Sequence, residues 1–367
     1  MPTNIENLLS LPHDTWGFLE WATGVLRVNA TYDEFKRIDT LPFYERASYE
    51  ETITHETFHR CQICTSGYLY NFTIGITKII IPIVFPYLQK LASEAKQKPR
   101  VAGNIYIGHD ELWLPIAENP PRPPKILVSS LAEIDHASQE GISVRSLVEG
   151  TAYLAQKQIH VDHLTHDGYQ TLLEYAPGSE YSAAYRLAES ILGKSAFDIF
   201  QTVAFLALCF GEPHVVFPKL CKQFKLLQID SLAGGNKEKI AKIIDELRGK
   251  HFFLGTTLDY IKNFPNNIHP YYKETLSQIS KLSLDSNRSI IELMAKPENW
   301  LGDFRSVIGS LVILNPDELI TINSGKNKQK LSSDEYINAL NACFACLYSF
   351  ALLKYNGLGF RYINLRK

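Results

Sequence analysis

Ser48-Tyr-Glu-Glu-Thr-Ile-Thr-His55-Glu56-Thr57-Phe58-His59-Arg-Cys-Gln-Ile-Cys-Thr-Ser-Gly67 carries two histidines four residues apart, with a glutamate directly after the first. On a helix this spacing sets both imidazoles on one face about a turn from each other, so that they suit adjacent corners of a tetrahedral zinc site. Glu56 then sits beside the open position of the metal, where a carboxylate takes a proton from an activated water. A helix is expected because Ser48 followed by Glu51 fits a capping box, which satisfies two N–H groups that a first turn otherwise leaves unpaired. The motif then falls in the second and third turns, and Gly67 is the expected stop.

Two histidines leave a catalytic zinc short of a ligand, since such a site takes three protein donors and a water. The strongest candidate is Glu149, in Val148-Glu149-Gly150-Thr151-Ala152. A carboxylate on a second helix reaches the metal only where the two helices approach closely, and Gly150 and Ala152 remove side-chain bulk beside it. Apolar positions Leu147, Tyr153 and Leu154 recur at helical spacing over residues 143–159, with Ser143 as the N-cap.

These two segments, well under a tenth of the chain, resemble the gluzincin-type zinc metallopeptidases, in which an H-E-x-x-H helix supplies two histidines and a later helix a glutamate. The resemblance implies zinc held by His55, His59 and Glu149, with Glu56 as general base and proton shuttle. It also implies a tyrosine or histidine that stabilises the oxyanion formed when water attacks a carbonyl. Downstream of Glu149 the candidates are Tyr153, His160, His163, His166, Tyr181 and Tyr185; Tyr181 is preferred because Gly178-Ser-Glu-Tyr181 follows a turn and suits the edge of a cleft. Ninety positions separate His59 from Glu149, more than in the compact thermolysin-like arrangement.

At 367 residues the chain buries a large core without staples. Its 37 Lys and Arg against 39 Asp and Glu give a net charge of -2, without the basic footprint of a nucleic-acid binder. Residues 1–28 lack the charged-then-apolar pattern of a secretory signal, and the most apolar windows, 79–88 and 199–211, are too short to span a bilayer, so a cytoplasmic protein without a membrane span is expected. Six cysteines in such a chain favour reduced thiols. Cys61 and Cys64 with Cys343 and Cys346 offer the two pairs of a four-cysteine zinc site, but each pair lies in an apolar helical stretch and reads as buried thiols. His160-Val-Asp-His163-Leu-Thr-His166 reads as a polar helix end running into a turn at Thr165-His166-Asp167-Gly168, with a second metal site as the alternative.

The expected fold is α+β and predominantly α-helical, with a zincin-like core in which the H-E-x-x-H helix packs against the Glu-Gly-x-Ala helix. A helical lead-in over residues 5–40 breaks at Thr40-Leu-Pro-Phe43. An apolar helical segment follows over 68–96, then a short strand at 101–108 and a stiff proline-rich connection at 118–125. Helices are expected at 180–192 and 196–210, ended by Pro213 and Pro218. The glycine pair in Ser231-Leu-Ala-Gly-Gly-Asn-Lys237 is the linker candidate. It divides a metallopeptidase domain, 1–230, from a helical C-terminal region, 231–367, with helices at 237–248, 271–282, 286–295 and 332–355. The function expected is hydrolysis of peptide bonds in a peptide or protein substrate. The alternatives are a non-catalytic scaffold in which zinc ties two helices together, and a metal-free helical protein.

Overall fold

The computed structural model describes residues 17–20, 25–28, 30–73, 75, 133–158, 164–231, 236–255, 311–314, 320–324 and 327–330. The segments expected at 76–96, 101–108, 118–125, 271–282, 286–295 and 332–355 lie outside these residues. So do the linker glycines, His160, His163, Cys343, Cys346 and the side chains of Cys61 and Cys64. Among the described residues the chain is predominantly helical, and its strands gather in one sheet. The chain forms two units interleaved in sequence: Met1–Ile53, Thr73–Leu131 and Leu311–Lys367 make the first, and Thr54–Phe72 and Ala132–Ser310 the second.

In the first unit β1 (Gly17–Glu20) and β2 (Val25–Val28) pair antiparallel, Gly17 opposite Val28. β2 runs parallel to β3 (Leu311–Leu314), which continues antiparallel through β4 (Ile320–Ser324) to β5 (Asn327–Lys330). Among the described residues the helical lead-in expected over 5–40 is corrected: 17–20 and 25–28 build a hairpin, and the helical elements are α1 (Tyr32–Lys36) and the 3₁₀ turn Ile38–Thr40. Strands of four residues are too short to declare a period, so scattered apolar residues mimicked helical spacing. A capping box is present here, at Thr31 and Glu34: Glu34 N donates to Thr31 Oγ1 at 3.3 Å, and Thr31 N donates to Glu34 Oε2 at 2.8 Å.

α2 spans Phe43–Thr65, beginning five residues before Ser48. Arg46 N donates to Pro42 O at 3.0 Å, so the proline carbonyl accepts the first helical bond. Ser48 is interior, its hydroxyl donating back to Tyr44 O at 3.1 Å; it caps nothing, and the motif falls beyond the third turn. The helix does stop before Gly67, for a reason other than a left-handed cap. Gly67 N donates to Gly255 O at 2.9 Å, an approach so close that a Cβ there would lie 2.4 Å from that oxygen.

The second unit continues from the C-terminal part of α2 into α3 (Val144–Gln158), α4 (His166–Glu174), α5 (Ala183–Leu192), α6 (Ala196–Ala207), α7 (Pro213–Leu226) and α8 (Asn236–Arg248). Ser143 caps α3 as expected: its Oγ accepts from Ser146 N at 3.2 Å, while Ser146 Oγ accepts from Ser143 N at 3.3 Å. Thr165-His166-Asp167-Gly168 opens a helix and is not a turn, because Thr165 Oγ1 accepts from Gly168 N and acts as N-cap. Pro213 likewise starts α7, where its missing N–H costs nothing, and Pro218 lies inside that helix. α6 is almost wholly buried: Ile199, Phe200, Val203 and Ala204 are sealed from solvent, with the Phe200 ring edge-on to Tyr185 and Phe217. Removing a ring such as Phe200 costs about 3–5 kcal/mol. Residues 231–367, expected as a separate helical region, contribute α8 to this unit and β3 to β5 to the sheet of the other. No helix among the described residues is long and apolar enough to cross a membrane.

Candidate metal centre

His55 and His59 project from one face of α2 toward α3, and Glu149 meets them from its second turn. His55 Nε2 lies 3.1 Å and His59 Nε2 3.3 Å from Glu149 Oε2, and the two Nε2 atoms are 3.0 Å apart. The imidazole planes are nearly perpendicular, at 88°. Bonds of about 2.0–2.1 Å at tetrahedral angles set two ligand atoms about 3.3–3.4 Å apart. The three donors therefore already outline one face of such a tetrahedron, slightly contracted by the hydrogen bonds they share. Both histidines are buried, and Glu149 is nearly so.

Each imidazole is held from behind. Gln156, seven residues after Glu149 on α3, presents Oε1 to His55 Nδ1 at 3.0 Å. Gln62, three residues after His59 on α2, presents Oε1 to His59 Nδ1 at 2.9 Å. The amide nitrogen of Gln62 donates to Val148 O at 3.2 Å and Thr151 Oγ1 at 2.7 Å. Amide oxygens only accept, so both Nδ1 atoms donate, and both Nε2 atoms face Glu149, whose carboxylate accepts the Nε2 proton that the charged His59 imidazole carries.

Burial disfavours charge on His59, but the Glu149 carboxylate outweighs it and raises the imidazole to about 9. Burial also opposes ionisation of Glu149, and there too the partners prevail: the two histidines hold its carboxyl well below the usual range. Glu56, half-buried, lies near enough to help raise both His59 and Tyr181.

Of the described candidates for oxyanion stabiliser, Tyr181 is the one whose ring is recorded against a ligand candidate, its centroid 6.0 Å from that of His55. Burial, then the Glu149 and Glu56 carboxylates, push its phenol well above the ordinary tyrosine value, so it keeps its proton. The other described candidates are engaged elsewhere, and His160 and His163 lie outside the described residues. Tyr153 OH donates to Leu172 O at 3.2 Å, and Tyr185 is sealed in the core against Tyr169 and Phe200. His166 bonds Asp167 at 2.8 Å and Glu189 at 2.5 Å.

The chain matches no known family model, curated protein or solved structure. Among the described residues, His55, His59 and Glu149 are the one set of three donors close enough to hold a metal ion.

Gly150 has a different use from the one expected. A Cβ there would meet Tyr181 O at 3.3 Å and Phe200 Cζ at 3.4 Å, so its small size admits the 3₁₀ turn Ser179–Tyr181 and α6 rather than α2. Sequence reasoning missed Gln62, Gln156 and Thr151. Spacing was the available signal: Gln62 follows His59 at i+3 and Gln156 follows Glu149 at i+7, each on its ligand's own helical face. It also missed Arg145, one turn before Glu149, whose guanidinium forks onto Asp135 through Nε and through Nη2, the latter at 3.1 Å from Oδ2.

Proposed function

We propose that the chain is a zinc-dependent hydrolase with a zincin-like core, and that it cleaves peptide bonds. The observation that carries this reading is the convergence of both Nε2 atoms and one Glu149 oxygen, within 3.0 to 3.3 Å, beside the acidic Glu56. Two nitrogens and one carboxylate oxygen are a donor set that suits zinc with an open fourth position. Zinc held by these residues supplies Lewis acidity to a carbonyl and activates a water.

The chain's own groups do the rest. The Glu56 carboxylate takes a proton from the attacking water and returns it to the leaving amine, which a purely structural site has no use for. The Tyr181 hydroxyl, kept protonated by its surroundings, donates toward the oxyanion; such a donor contributes about 3–4 kcal/mol of barrier lowering. The free, buried thiol of Cys221 fits a reducing compartment, the cytoplasm.

The test is metal analysis of protein purified without chelators, followed by peptide hydrolysis by wild type and Glu56→Gln. Stoichiometric zinc in both, with hydrolysis reduced by about two orders of magnitude or more in the variant, supports the reading. Equal rates would remove Glu56 from the mechanism. Zinc without hydrolysis of any peptide would favour the scaffold.

A further inference from the structure

Resting on the assignment of His55, His59 and Glu149 as metal ligands, we propose that Gln62 and Gln156 are positioning residues: helix α3 uses their neutral amides to lock both histidines as Nδ1–H tautomers. The chain of bonds has one consistent direction. Thr151 Oγ1 donates to Leu147 O at 2.8 Å, with Val148 O at 3.0 Å, so its proton is committed to the backbone of its own helix. Its lone pairs are then what remain for Gln62, whose amide nitrogen approaches at 2.7 Å. Val148 O, the second contact of that nitrogen at 3.2 Å, is a carbonyl and only accepts. Both contacts therefore require the NH₂ end of Gln62, and the amide cannot flip without opposing an acceptor to an acceptor.

With its nitrogen committed to α3, Gln62 has only Oε1 to offer His59, which must donate from Nδ1. Gln156 reaches the same result for His55 directly from α3. One helix thus supplies the anionic ligand and sets the ring orientation of both histidines carried by the other. Carboxylates are frequent in this position, where they make the imidazole more basic. Amides orient the ring without adding charge, so a bound zinc faces a single anionic ligand and keeps more of its own positive charge. A glutamate at position 62 lacks the N–H donors that Val148 O and Thr151 Oγ1 require, which explains why an amide and not a carboxylate fits.

The experiment measures zinc affinity of the full chain by competition with a chromophoric chelator. It also records ¹H–¹⁵N spectra of the zinc-loaded, ¹⁵N-histidine-labelled protein. Gln62→Ala and Gln156→Ala are each expected to bind zinc about 10–100-fold more weakly. Gln62→Met keeps the side-chain length and serves if the alanine variant fails to fold. Thr151→Val should weaken binding by a smaller factor, and Thr151→Ser should restore it. The decisive signature is residue-specific: wild type shows a slowly exchanging Nδ1–H resonance for each ligand histidine. Gln62→Ala loses that of His59 alone, and Gln156→Ala that of His55 alone. General loosening of the fold would dim both together. Unchanged affinity with both resonances intact, or zinc bound through Nδ1, overturns the proposal. A wild type that binds no zinc overturns the ligand assignment with it. Zinc bound in these tautomers without any hydrolysis leaves the positioning intact and removes only the peptidase reading.

Discussion

The metal-free protein should hold a proton on His59 far above the pH at which a histidine normally loses it. Burial lowers the affinity of His59 for a proton, yet Glu149 at 3.3 Å lifts the imidazole from 6.5 to about 9. Across that rise, at about 1.4 kcal/mol per unit, the ion pair contributes about 3 kcal/mol to folding, counted once for the pair. Because the folded value is raised, the contribution is fully present below about pH 6.5 and is lost as pH climbs through about 9. Glu149 moves in the opposite sense: its carboxyl is depressed, so its share is present above the ordinary carboxylate range and is lost only as acid protonates it. Zinc takes only the neutral imidazole, so at pH 7.5 the proton lowers apparent affinity by a factor of about 30. The assay is the pH titration of ¹³C-labelled histidine resonances in chelator-treated protein, with urea melts at pH 6 and pH 9.5. The expected result is a His59 midpoint near 9 in wild type. In Glu149→Gln the largest influence opposing burial is gone, with Glu56 and Gln62 left to oppose it, and the midpoint falls well below the wild-type value. A wild-type midpoint at or below 6.5, or melts equally stable at both pH values, would refute the pairing.

Other consequences follow from single contacts. Tyr181→Phe should retain stoichiometric zinc and lose about 10²–10³-fold in kcat, measured on any peptide the wild type cleaves; an unchanged kcat would show that the phenol is not the donor. Gly67→Ala forces a Cβ to within 2.4 Å of Gly255 O, and the loss of close packing should cost about 1–3 kcal/mol by thermal or urea denaturation. Ser143→Ala removes the cap of the helix that bears Glu149, with a cost of about 0.5–2 kcal/mol in the same assay. Free zinc at a hundred times its Kd should stabilise the protein by about 2.7 kcal/mol relative to chelator-treated protein. No shift in Tm on chelation would mean that the metal does not bind the folded site.

The candidate donor set was legible because helices impose it. An i, i+4 pair of histidines has one geometric meaning on a helix, and a glutamate followed by Gly150 and Ala152 suits a second helix packed against it, so His55, His59 and Glu149 stand out although ninety positions divide His59 from Glu149. The small residues were read correctly and explained wrongly: Gly150 makes room for Tyr181 and Phe200, a contact that exists only after α6 has folded onto α3. The boundaries of α2 failed for a related reason. Ser48 and Glu51 form a pattern that caps a helix when the chain before it is extended, and here the chain before it is already helical from Phe43, so the hydroxyl turns back onto Tyr44. Pro213 suggests an end and is a beginning, since a proline's missing N–H costs nothing at the first position, while Pro218 lies within the same helix.

The hairpin and the sheet were hidden because strands of four or five residues leave almost no period to detect, and β2 pairs with residues nearly three hundred positions away. The orienting glutamines were hidden more deeply. A glutamine on a helix carries no signal beyond sharing a face with a ligand candidate, and Gln62 matters only because the Val148 carbonyl and the Thr151 hydroxyl face it from another helix. Ligands follow local spacing, whereas the groups that orient ligands follow tertiary contacts. The first can be read along a chain. The second require the two helices to be side by side, and it is there that a five-residue motif acquires a fixed tautomer, a shared proton and a direction for its lone pairs.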